Sequence, residues 1–144
     1  AVLAALLAWL GFVADAGHRQ ARAVAAIEAL GGSVSYEGGT DATAGPTGWL
    51  ARRLGNGLVR NVSDVYLSGR TFDDARLDCV ADLPAVESVN FVSTPLTDAG
   101  LEHLKGLKRL KRVDVRFTQV SDDGVQRLRK ALPQAKVYHL SDLE

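Results

Sequence analysis

The sequence predicts an α/β fold: a short right-handed solenoid in which parallel strands form one side and convex helices cover the other. Three observations carry this. Segments 65–88, 89–112 and 113–136 share one length and keep their apolar residues in register, and a fixed period of this size marks a stack of repeats rather than a conventional globular core. Val89-Asn90-Phe91 alternates apolar, polar, apolar, the period of a strand with one buried face. Leu101, Leu104 and Leu107 then recur at spacing three, the stripe of a helix lying against that face.

Taken in chain order, the first element is an apolar helix over residues 1–18. Ala1 to Ala14 holds no charged or strongly polar residue, and only Gly11 interrupts its run of helix-favouring Ala and Leu. Such a run rises about 21 Å as a helix, against a hydrocarbon core of about 30 Å. It opens without an initiating Met or a basic flank, which leaves three readings: the tail of a membrane segment, a retained signal-type segment, or a soluble helix. The first is favoured. It makes residues 1–14 a membrane contact, Trp9 an interfacial ring, and the protein membrane-associated on a side that the sequence does not specify.

Residues 19–58 are expected to cap the open end of the stack. Ala23, Val24, Ile27 and Leu30 form one side of an amphipathic helix that Gly31 and Gly32 should stop. Ser33 to Glu37 alternates like a short strand, Gly38 to Thr47 is a loop, Trp49 to Leu54 is a short helix, and Gly55 to Gly57 end it.

Residues 59–144 hold the repeats. Val65, Val89 and Val113 align, as do Leu67, Phe91 and Val115; Phe72, Leu96 and Val120; Leu77, Leu101 and Val125; and Val80, Leu104 and Leu128, with Val137 opening the next unit. The pattern resembles the leucine-rich repeat, L-x-x-L-x-L-x-x-N/C-x-L, through Val86, Val89, Phe91, Thr94 and Leu96 and again through Leu110, Val113, Val115, Thr118 and Val120. Thr97-Asp98-Ala99-Gly100-Leu101, echoed at Ser121 to Val125, is similar to the T-D-x-G-L variant of ribonuclease-inhibitor-like repeats. Arg70 occupies the hydrogen-bonding slot of the first unit, which implies a looser turn there. Gln134 and His139 fall where the pattern takes apolar residues, the mark of a terminal repeat. The resemblance covers roughly Val59 to Leu140, and with the apolar N-terminus it extends to membrane-anchored repeat proteins of planctomycete-type bacteria. Within a unit, Thr97 should cap the following helix and Asp98 should face its positive end.

Composition and motifs point away from catalysis. At 144 residues, 47% hydrophobic and 24% charged, the chain suits one folded domain with an appendage, and its zero formal charge gives no general attraction to nucleic acid. Cys79 is the single cysteine, so no internal disulfide exists, and it is expected to be semi-exposed on a helix. No phosphate loop, dinucleotide fingerprint, zinc motif or catalytic constellation occurs, and His18, His103 and His139 lie on different elements. No catalytic, cofactor-binding or metal-binding residue is therefore assigned. The Asp residues at helix starts read as helix-end groups, the sequon at Asn61 as a chance match around a buried Val62, and the basic run from Lys105 to Arg112 as a solvated face with no nucleic-acid role.

A binding surface is nominated by geometry instead. Strand residues between the buried ones project from the concave side, and there Tyr66, Ser68, Asn90, Val92, Arg112, Asp114, Arg116, Lys136 and Tyr138 differ from unit to unit while the buried positions stay alike. Two Tyr anchors and an Arg-Asp-Arg centre suit a protein or peptide partner. The expected function is a non-catalytic interaction module at a membrane. The alternative is an assembly protein that self-associates through the apolar helix or through an unpaired sheet edge at Lys136 to Leu140, since only Ser141 to Glu144 follow.

Overall fold

The Ala- and Leu-rich N-terminus forms one unbroken helix, α1 (Val2–Ala29), in the computed structural model of the chain, which describes residues 2–37, 61–69 and 74–143. The expected loop 38–47, the short helix 49–54 and the glycine stop 55–57 lie outside these residues, as do Val59, Arg70 and Phe72 of the first repeat. The second half of α1 docks as its pattern requires: Ala23, Ile27 and Leu30 are buried, with Val24 beside them. The first half projects, leaving Val2, Leu3 and Leu7 exposed.

This helix corrects the membrane expectation. No helix among the described residues is long and apolar enough to cross a membrane. The helix runs without a break into Asp15, His18, Arg19 and Arg22, with Asp15 and Arg19 paired at 3.1 Å one turn apart. Its C-terminal half is committed to the protein core. The Trp9 ring lies outside the described side chains.

Two glycines end α1, each for its own reason. Gly31 adopts φ +77°, and its N–H donates to the Glu28 carbonyl while that of Gly32 donates to the Ile27 carbonyl, the paired bonds of a Schellman stop. Gly32 has an ordinary φ but no room: a Cβ there would meet the Tyr66 carbonyl oxygen at 2.7 Å. The chain can then turn directly into β1 (Ser33–Tyr36).

Five strands make one mostly parallel sheet, in the order β1-β2-β3-β4-β5, that is not curled. β1 runs antiparallel to β2 (Val62–Tyr66), a pairing that sequence reading did not foresee. β2, β3 (Ser88–Asn90), β4 (Arg112–Asp114) and β5 (Lys136–Tyr138) are parallel, with Val65, Val89, Val113 and Val137 side by side. Between strands run a 3₁₀ turn at Asp74–Leu77 leading into α2 (Asp78–Ala81), α3 (Asp98–Glu102) leading into a 3₁₀ turn at His103–Gly106, and α4 (Asp122–Ala131). The aligned residues form one core: Leu67, Phe91 and Val115 from the strand side meet Leu77, Leu101 and Val125 and then Val80, Leu104 and Leu128 from the helix side, all buried.

Three strands, β2, β3 and β4, are followed by a residue of positive φ. Gly69, Ser93 and Phe117 occupy equivalent places, all with positive φ (128°, 62° and 59°). The Thr that follows holds the turn: Thr94 and Thr118 donate their hydroxyls to the Phe91 and Val115 carbonyls at 2.7 and 2.6 Å.

The helix starts are linked from one unit to the next. The Thr97 hydroxyl accepts from the Ala99 N–H and that of Ser121 from the Gly124 N–H, so both are the caps expected. The aspartates do more than face the helix dipole. Asp74 accepts both the N–H and the hydroxyl of Thr97, and Asp98 accepts the same two donors of Ser121. Gly100 and Gly124 make this possible, since a Cβ on either would fall inside the carboxylate of Asp74 or Asp98. Hydrogen bonds from the Ser121 hydroxyl and amide, aided by Arg127 at 2.9 Å, hold the Asp98 carboxyl below its usual range.

Candidate functional site

One face of the sheet is covered by α1 and the later helices, and among the described residues no helix or strand covers the other, the open face. Because paired strand residues share a face, the register assigns two rows to the open side: Ser35, Asp64, Ser88, Arg112 and Lys136, then Ser33, Tyr66, Asn90, Asp114 and Tyr138. Ser68, Val92 and Arg116 follow at the strand exits. The sheet beneath this face is not curled.

The charged centre is a set of ordered pairs. Asp114 receives three bonds from the Arg116 guanidinium, at 2.9, 3.2 and 2.6 Å, and one from its backbone N–H. Burial alone would raise the Asp114 carboxyl, but these Arg116 bonds outweigh it and hold the group below its usual range. Arg112 turns away from Asp114 and reaches across β3 to Asp64 at 3.9 Å, a path kept clear by the small Ser88 between them. Asn90 serves its own turn, accepting the Val92 N–H at 3.0 Å. Tyr66 stands exposed, and the Lys136 ammonium lies 5.1 Å from the centre of the Tyr138 ring, a cation–π arrangement. The face thus presents an exposed Tyr66 and a half-buried Tyr138 around a largely neutralised core.

At the lower ends of the strands a second cluster ties three loops together. Arg109 bridges Glu37 and Glu87 at 3.0 Å each, and Lys111 adds a bond to Glu87 at 2.8 Å. Hydrogen bonds from Lys111 and then Arg109 hold the Glu87 carboxyl below its usual range. The Asn61 amide donates to Glu37, and the Ser63 hydroxyl donates to Asp64, so the sequon at this corner is engaged in structure.

The β5 edge differs from the bare edge expected. Lys136 and Tyr138 bond to β4, so Val137 and His139 direct their backbone outward. Arg129 from α4 donates to the Val137 carbonyl at 3.0 Å, and Asp142 accepts the His139 N–H at 3.1 Å. The two side chains bond each other at 2.7 and 2.8 Å. Bonds from Arg129 and then the His139 amide hold the Asp142 carboxyl below its usual range. Beside them lies a groove of about 590 Å³ that takes in Arg116, Lys136 and Tyr138 from the open face and Arg129, Pro133 and Asp142 from the helix side.

Among the described residues no group of three His, Cys, Asp or Glu could hold a metal ion. His103 faces Asp78 at 2.8 Å and His139 faces Asp122 at 3.3 Å, each a separate pair. Cys79 is half-buried, with its Sγ against the Arg76 carbonyl, and burial raises its thiol above the usual value. No family model and no curated protein matches the chain.

Of the nine candidate residues, the strand register places Tyr66, Asn90, Arg112, Asp114, Lys136 and Tyr138 on one face; sequence reading missed Ser33 and Ser35, which the antiparallel β1 adds. It also missed Phe117, whose signal was present: an aromatic stands where the other units have Gly69 and Ser93. The Arg129–Asp142 pair left no repeat signal, because Asp142 lies beyond the last strand.

Proposed function

We propose that the chain is a small non-catalytic interaction module of leucine-rich repeat type, a short solenoid capped by residues 19–58, whose open sheet face binds a protein or peptide partner. One observation carries the reading. Positions paired across the sheet are uniform on the buried side, Val65, Val89, Val113 and Val137, and varied on the open side, Tyr66, Asn90, Asp114 and Tyr138. Packing explains the first set; stability asks for no such variety in the second. Exposed Tyr with ordered Arg is the make-up of recognition surfaces.

A photo-crosslinking residue placed at Asn90 tests this against one at Lys130 on α4. Adducts formed at Asn90 and lost when Arg112→Ala and Arg116→Ala are added support the face, and equal adducts from both positions defeat it.

Self-association is a second reading, favoured by Val2, Leu3 and Leu7 standing exposed on α1. Sedimentation of Leu3→Glu with Leu7→Glu against the parent chain decides it: a parent that is monomeric at high concentration removes assembly through α1.

A further inference from the structure

Two outward backbone groups at β5, the Val137 carbonyl and the His139 N–H, are met by side chains standing where another strand would stand. Arg129 gives the Val137 carbonyl the N–H that a neighbouring strand would give, and Asp142 gives the His139 N–H the oxygen that a neighbouring carbonyl would give. The two substitutes are only partly shielded, at 34% and 39% side-chain exposure, so their ion pair is of the weak, displaceable kind. They sit in the groove alongside β5, whose described lining carries three cations, Arg116, Arg129 and Lys136, against the single carboxylate of Asp142.

We propose that this groove takes an extended acidic peptide, which adds as a strand beside β5 while Asp142 acts as an intramolecular stand-in that it displaces. The occupant's class follows from what displacement leaves behind. An incoming strand supplies an N–H to Val137 and a carbonyl to His139, which frees the Arg129 guanidinium and requires a new carboxylate for it. Lys136, which makes no ion pair among the described residues, favours further negative charge along the same path. A basic segment would meet the like charges of Lys136 and of an Arg129 stripped of its partner. This inference rests on the open-face reading, since strand addition widens that face by one row beside Lys136 and Tyr138.

The probe is a fluorescein-labelled peptide of alternating Glu and Val, with a Lys–Val counterpart and a Glu–Val version N-methylated on alternate backbone nitrogens, each titrated against the full chain by fluorescence anisotropy. The Glu–Val peptide should bind and the other two should not. Asp142→Asn, which weakens the stand-in and keeps Arg129, should tighten binding about threefold. Arg129→Gln should weaken it at least about tenfold.

Absence of binding even to Asp142→Asn overturns the proposal. So does unchanged affinity in Arg129→Gln, and equal binding of the N-methylated peptide overturns strand addition. Should Arg129→Gln fail to fold, Asp142→Asn alone keeps the test decisive, because looser or unchanged binding contradicts the displacement. Loss of binding in Arg112→Ala with none in Arg129→Gln moves the peptide to the open face and overturns the groove only. Failure of the Asn90 crosslink, with the peptide results as expected, overturns the open face only.

Discussion

Asp98 holds Ser121 by two bonds, accepting its backbone N–H at 2.8 Å and its hydroxyl at 2.6 Å, and so joins the start of α3 to the start of α4. The serine hydroxyl in turn caps α4 through Gly124. Losing the carboxylate therefore frees two donors and loosens a cap. Asp98→Ala should destabilise the protein by about 1–2 kcal/mol. In a double-mutant cycle with Ser121→Ala, measured by urea unfolding, the coupling should be about 1 kcal/mol. Strictly additive losses would show that the aspartate acts only on its own helix.

Phe117 is a bulky side chain, 61% exposed, held at φ 59°. Neither burial nor backbone preference accounts for it there, and Gly69 marks what the turn accepts without strain. Phe117→Gly should raise stability by up to about 1 kcal/mol, the relief of left-handed strain less the entropy of the added glycine. The same change should reduce crosslinking from Asn90 if the ring is part of the recognition surface. A fall in the thermal midpoint would show that the ring makes a stabilising contact.

Glu87, Asp98, Asp114 and Asp142 all titrate below their ordinary values in the folded chain. A carboxyl whose folded pKa is depressed adds stability that is complete above its unfolded value and fades as pH falls toward the folded one. With ordinary values of 4.5 for Glu and 3.8 for Asp, the thermal midpoint should be level from neutral pH to about 5 and should drop steadily below about 4. Asp98→Asn should flatten part of that drop. A midpoint independent of pH down to 3 would contradict these pairings.

The sheet was legible because burial has a period. Val65, Val89, Val113 and Val137 announce their strands by position alone, and the same register turned Tyr66, Asn90, Asp114 and Tyr138 outward. What escaped had no period. The antiparallel partner of β2 depends on Gly31 and Gly32 reversing α1 onto the sheet, an arrangement of one tight contact with the Tyr66 carbonyl. Asp98 was legible as a helix-start residue, but its longer reach needs two neighbouring turns to be in place. The apolar run at the N-terminus was read as a helix, which it is, and preferentially as part of a membrane segment, whereas no described helix is long and apolar enough to cross a membrane; that the run and the Ala23 to Leu30 stripe form one unbroken helix is a fact of packing.

The aspartate link has a further consequence for how such a chain can change length. Asp74 meets Thr97 just as Asp98 meets Ser121, and Gly100 clears space for the first as Gly124 does for the second. Excising residues 97–120 would carry Ser121 to the place of Thr97 and Gly124 to the place of Gly100, so Asp74 would find the same hydroxyl, the same amide and the same vacant space. The joint between units is a standard fitting, and a whole unit can be gained or lost without any new chemistry at the seam.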